Sequence, residues 1–166
     1  YLNHYKSLLE ERDLKPVPEN ENEWYRYGRH QSLDKCDVPV KIIVGVLSQG
    51  NKYAVDNQRT FISSGGTAGY CMITLPENSP YSIFYIQALL NSKYGEWFAS
   101  IYGEIFRGGY IASGTKVLKR LSIRKINFDD VIERSFHNNI SDKQQYLIDL
   151  QGRIDSNIGN NRILVP

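Results

Sequence analysis

Cysteine, histidine and long apolar runs are all scarce in this chain, and each scarcity excludes something. Its 166 residues include two cysteines, Cys36 and Cys71. They are too few and too far apart for a zinc motif, which needs paired ligands at close spacing. They read as free thiols in a reducing cytoplasm, where the protein is expected to reside. The three histidines, His4, His30 and His137, sit in unrelated settings, so no Ser or Cys hydrolase arrangement is legible. A metal nuclease needs clustered carboxylates with a nearby lysine. Asp129, Asp130 and Glu133 come closest, on a surface helix and without the lysine spacing. No apolar run approaches the roughly 20 residues of a membrane span, and no signal-peptide pattern opens the sequence. A first residue Tyr1 in place of Met reads as a piece of a longer protein. Net charge is only +2, which excludes a polybasic tail.

What is present is ordinary in bulk and uneven in detail. The chain is 41% apolar and 23% charged, a soluble globular balance, and its length suits one domain with a core plus an appendage. Tyrosine is abundant at 12 residues, which suits a polar-aromatic binding surface. Residues 1–23 hold six acids against three strong bases, and the positive charge gathers later. Residues 106–126 (FRGGYIASGTKVLKRLSIRKI) carry Arg107, Lys116, Lys119, Arg120, Arg124 and Lys125 and no acid. The first half reads as a loop, in which Gly108, Gly109 and Gly114 permit positive φ and close approach of the backbone. The second half sets Val117, Leu118, Leu121 and Ile123 among the cations, so it can be anchored to a core while presenting charge. Arg107 and Tyr110 flank the glycine pair, a composition that suits contact with a polyanion. The alternative is a solvated basic loop. Residues 24–33 (WYRYGRHQSL) have similar chemistry: aromatics, Arg26 and Arg29, and groups able to read base edges in His30 and Gln31.

The remaining elements follow from periodicity and turn chemistry. Residues 1–11 read as the end of a helix, and 15–23 as a Pro-rich acidic linker. Residues 38–47 form a buried β-branched strand with Pro39 at its start. Residues 51–55 and 60–63 predict a hairpin around 56–59, and 70–75 another strand. The glycine-rich stretch 63–69, with Ser64, Gly65 and Gly66, either cradles a phosphate through backbone N–H groups or is a plain hairpin connection. It lacks the lysine of a nucleotide P-loop, which excludes ATP. Ser79-Pro80 starts a helix running to about Tyr102, ended by Gly103, with Trp97 and Phe98 expected in the core. Residues 128–136 predict a short helix. Ser141, with a capping-box spacing to Gln144, predicts the start of a last one carrying Leu147, Leu150, Ile154 and Ile158 in a narrow seam. The class is α/β (α+β): a small mixed sheet packed on a long helix, with a C-terminal helix.

The order W-Y-x-Y-G-R-x-Q-S-L, the strand KIIVGVLS, the loop SSGGTAGY, the helix ALLNSKYGEWF and then FRGGYIASGTKVLKRLSI resembles the C-terminal target recognition domain of TaqI-type adenine-specific DNA methyltransferases. Fused type IIG restriction-modification enzymes carry similar domains. The resemblance covers roughly residues 1–126. Together with the elements read above, it divides the chain into an upstream helix and linker over 1–23, a recognition domain over 24–137, and a C-terminal helix and tail over 138–166. It further implies duplex DNA as partner, an upstream methyltransferase domain in the same chain, and S-adenosylmethionine as the cofactor of the parent protein. The fragment itself has no Pro-Pro pair to hold a flipped adenine and no glycine fingerprint for the methyl donor, so no cofactor and no catalysis are expected in it. Lys52, Lys116, Lys119 and Arg120 are then candidates for phosphates, and Arg29, Gln31, Arg107 and Tyr110 for base edges. Arg26 and Arg29 have an alternative role, pairing with carboxylates to hold the segment around Trp24. Two rival readings stay open: a protein-interaction module docking through the last helix, and a recognition domain of a type I restriction specificity subunit, whose spacer helix the seam of the last helix resembles.

Overall fold

The structure, a computed structural model, describes residues 1–15, 17–26, 28, 36–50, 53–62 and 69–160. The α/β class holds. Its backbone is one extended stretch that serves two sheets in turn. Strand β1 (Lys41–Gly45) is the centre of a three-stranded antiparallel sheet, between β3 (Tyr53–Asp56) and β4 (Tyr70–Ile73). At Val46 the chain changes partners: its N–H donates to Gly69 O at 3.0 Å, and its carbonyl accepts Ser113 N–H at 2.8 Å. Strand β2 (Leu47–Ser48) then joins a second antiparallel sheet in the order β2-β6-β5, with β5 at Glu104–Phe106 and β6 at Tyr110–Ala112. The single mixed sheet expected from sequence is thus two antiparallel ones among the described residues. The predicted hairpin around 56–59 is not formed: β3 pairs with β1, and Thr60 instead caps the Asp56 carboxylate. The residues 51, 52 and 63 of that prediction lie outside the described residues.

β1 is buried because its side chains alternate into a core shared with a helix. Ile42 and Val44 meet Tyr53, Tyr85, Ile86, Leu90 and Ile126. Lys41 is the exception on the strand, 0% exposed. Its Nζ lies 2.6 Å from Asp56 Oδ2, its direct cross-strand partner, and donates to Cys36 O at 2.9 Å. The two cysteines are free.

The helix expected from Ser79 to Tyr102 is two helices. α2 (Ile83–Leu90) starts at an N-cap Ser82 whose hydroxyl accepts Phe84 N–H, three residues later than predicted, and α3 (Lys93–Tyr102) starts at N-cap Ser92. At the joint Gly95 has its Cα against Leu90 O, where a Cβ would sit only 2.2 Å from that oxygen. Gly103 ends α3, as expected. The bend turns part of the apolar stripe outward: Phe98 is buried, whereas Trp97, expected in the core, is 54% exposed. α2 also covers the edge of β3. Gln87 and Asn91 both donate to Tyr53 O, at 2.8 and 2.9 Å, and Asn91 Oδ1 accepts Tyr53 N–H. An unpaired strand edge is protected in this way.

The two C-terminal helices of the sequence reading are a single one, α5 (Val131–Asn160), which runs through residues 137 and 138 without a break. Ser141 is no cap. It lies mid-helix with its hydroxyl on His137 O at 2.9 Å, the i−4 bond open to any helical serine. Asp130 caps instead, accepting from Ile132 and Glu133 N–H. The face of α5 bearing His137 and Gln144 packs on α2: His137 Nε2 accepts Ser82 N–H at 3.0 Å, and Gln144 reaches Gln87 at 3.2 Å. No helix among the described residues is long and apolar enough to cross a membrane.

Candidate nucleic-acid interface

The stretch read from sequence as a basic loop is a hairpin. β5 and β6 pair Glu104↔Ala112, Ile105↔Ile111 and Phe106↔Tyr110, leaving Arg107, Gly108 and Gly109 as the turn. Gly108 has φ +83° and Gly109 φ +77°, a region an L side chain rarely adopts, so the predicted use of these glycines is what the turn requires. Arg107 and Tyr110 are exposed beside it. Gln49, just past β2, donates its Nε2–H to Gly108 O at 3.0 Å.

After β6 the chain is fastened before it presents its charges. Ser113 is buried on Val46 O and hydrogen-bonds Tyr53, and Thr115 hydrogen-bonds the Cys71 thiol, which burial pushes up in pKa. Short helix α4 (Thr115–Leu118) follows, and Leu118 and Leu121 pack on the core, as the apolar positions among the cations predict. Lys116, Lys119 and Arg120 are exposed. Arg120 places its guanidinium 4.2 Å from the centre of the Tyr102 ring, next to the base of the hairpin. Such a cation–π contact is worth about 0.5–1 kcal/mol at an exposed site and holds a long side chain in one place. Arg124 is occupied by Glu133 at 2.9 Å. Hydrogen bonds from Asn127 N–H and then from Arg124 hold the Glu133 carboxyl below its ordinary pKa. Arg107, Lys116, Lys119, Arg120 and Lys125 are exposed and form no ion pair among the described residues, which leaves five unneutralised cations between residues 107 and 125.

Arg26 is placed differently. It pairs with Glu23, and Arg12 donates to the carbonyls of Trp24 and Arg26 at 2.9 and 3.0 Å. A further bond joins Lys15 N–H to Gly28 O at 2.9 Å. These tie the segment to the N-terminal helix α1 (Lys6–Glu10), whose Lys6 lies over the Trp24 ring. Of the two roles open to Arg26 in the sequence, the carboxylate pair is the one formed. Arg29, His30, Gln31, Lys52, Ser64, Gly65 and Gly66 lie outside the described residues. Asp130 and Glu133 accept backbone N–H groups at the start of α5, Asp129 donates its N–H to Asn127 Oδ1, and among the described residues no three His, Cys, Asp or Glu side chains are grouped to hold a metal.

Sequence reasoning missed Gln49, Tyr102 and Arg12. Gln49 gives one weak signal, a polar amide between a strand and Gly50, whose φ is +74°. Tyr102 and Arg12 act through contacts that no local pattern encodes.

No known protein-family profile matches the chain. It is 56% identical over 153 residues to the type II restriction enzyme and methyltransferase RM.Eco57I of Escherichia coli. The match takes in 92% of this chain and 15% of that protein, so the chain spans about a seventh of its relative's length. The chain is therefore related to one part of a restriction-modification enzyme.

Proposed function

We propose that this chain recognises the duplex DNA target of a restriction-modification adenine methyltransferase whose catalytic parts lie elsewhere in a longer protein. The observation that carries the reading is the glycine-turned hairpin with Arg107 exposed at its tip, set beside exposed cations that meet no carboxylate among the described residues. A two-stranded β-ribbon fits the major groove, about 12 Å wide, and arginine there matches guanine O6 and N7. Lys116, Lys119 and Arg120 supply phosphate contacts, which fix register and give salt-dependent affinity without reading sequence. The relative's name, a restriction enzyme and methyltransferase, gives the reading its context.

S-adenosylmethionine belongs, in this reading, to the rest of the longer protein. A fused nuclease activity is likewise assigned outside this chain. A second role, docking on protein, is favoured by one feature: Phe136, Leu147 and Ile154 of α5 are 64%, 56% and 44% exposed on a seam beside the face that packs on α2.

Fluorescence anisotropy with a randomised duplex pool at two salt concentrations tests the proposal. Salt-sensitive binding that enriches a short site is the expected result. Retention only by a protein partner, with no DNA binding at low salt, would transfer the function to α5.

A further inference from the structure

Two adjacent glycines suit the positive φ of this turn, yet they leave it the most conformational freedom to lose on folding. Glycine gives up more conformational freedom than any other residue on folding, so a Gly-Gly turn needs an external contact to present a neighbouring side chain in one direction. That contact comes from Gln49, 59 positions before the turn, through the 3.0 Å bond from its Nε2 to Gly108 O. The acceptor is a carbonyl, which fixes the amide orientation: only the nitrogen of the side chain can donate. A Cβ on Gly109 would also lie 3.6 Å from the same nitrogen, so Gln49 sits against both glycines. Its own position is well determined. β2 pairs with β6 as Leu47↔Ala112 and Ser48↔Ile111, and continuing that register brings residue 49 beside Tyr110, at the foot of the turn.

We infer that Gln49 is a positioning residue for target selection: it fixes the turn formed by residues 107–109 and so the direction in which Arg107 meets a base pair. The inference rests on the DNA-recognition reading above. Gln49 need not touch DNA for this role. Base discrimination by arginine depends on two parallel hydrogen bonds, and a tip free to reorient spreads that preference over wrong bases.

Two variants and two readouts test it. Gln49→Glu keeps the size of the side chain and removes the donor; Gln49→Ala removes the side chain. Loss of one hydrogen bond corresponds to roughly a 2- to 12-fold change in an equilibrium. Amide hydrogen exchange across residues 107–110 is expected to accelerate within that range in both variants, a result independent of DNA. Selection from a randomised duplex pool is expected to lose preference, by a similar factor, at the base pair that Arg107→Ala also relaxes. In Gln49→Ala, which adds no charge, non-specific affinity and salt dependence stay as in the unmodified protein; the carboxylate of Gln49→Glu weakens binding to every duplex alike, so that variant is read by exchange and by base preference alone. In an Arg107→Ala background, Gln49→Ala should remove no further selectivity, because the two act through one contact. Unchanged exchange in both variants would overturn the clamp. Faster exchange with additive losses in the double variant, or with selectivity intact, would overturn its role in target selection. If the unmodified protein enriches no site, the DNA reading fails and the selection role with it, while the exchange data still decide whether the clamp exists.

Discussion

Replacing Lys41 with alanine should be among the costliest single substitutions in the protein. The ammonium is fully buried and lies 2.6 Å from Asp56, itself 8% exposed, with a second bond to Cys36 O. Removing one partner of a buried pair leaves an uncompensated charge and typically costs about 3–5 kcal/mol. Two details favour the lower end of that range. Asp56 retains bonds from Thr60 N–H and Oγ1–H, at 2.9 and 2.7 Å, and from Gln58 N–H at 3.2 Å. Cys36 O retains Val38 N–H at 2.9 Å. With a urea m-value of about 2 kcal/mol/M, a loss near 3 kcal/mol lowers the denaturation midpoint by about 1.5 M. Replacing both partners, Lys41→Met with Asp56→Asn, should recover part of the loss, since the charge is removed from both sides while a side-chain oxygen at position 56 still accepts from Thr60 and Gln58. The pair also sets an acid limit. The Lys41 hydrogen bond first, then those of Thr60 and Gln58, outweigh desolvation and hold the Asp56 carboxyl at about 2, below its ordinary 3.8. A lowered carboxylate pKa stabilises the fold above the unfolded value, and that stabilisation is lost as pH falls from about 4 through about 2. The pH dependence in that window should flatten in Lys41→Ala. A loss below about 1 kcal/mol with an unchanged acid profile would refute the assignment of this pair as a buried, coupled staple.

Three further outcomes follow from named contacts. Gly95→Ala should destabilise by about 1–3 kcal/mol in thermal or urea unfolding, because its Cβ meets backbone at Leu90 O and no side chain can move aside; a neutral effect would mean the α2–α3 joint opens freely. Arg107→Ala should lower affinity for the selected site by about 1–3 kcal/mol and spare non-specific binding, and equal loss on all sequences would make it a phosphate contact. Lys119→Ala should weaken binding to every duplex alike and reduce the slope of log K against log salt by about 0.9; an unchanged slope removes it from the interface.

Much of the site was legible because its chemistry is local. Two glycines in a row point to positive φ, and apolar residues spaced among lysines point to an anchored basic segment; both hold at Gly108, Gly109, Leu118 and Leu121. The hairpin itself escaped because its strands are three residues each, too short for an alternating pattern to stand out beside the glycines. Trp97 lies on the same three- and four-residue spacing as Ile86 and Leu90, and only the break at Asn91-Ser92 carries it outward. Ser141 has the composition of a cap, but a mid-helix hydroxyl is satisfied equally well by the carbonyl four residues back. Neither the Lys41–Asp56 pair nor the Gln49 contact is visible before register is known, since each joins residues whose proximity depends on which strands pair.

The most direct test of the central claim is selection of bound sequences from a randomised duplex pool by the unmodified protein, repeated with Arg107→Ala. Enrichment of a short site, with preference relaxed at one base pair in the variant, is the predicted result. Binding that enriches no site with either protein would contradict target recognition and leave only a sequence-blind basic surface.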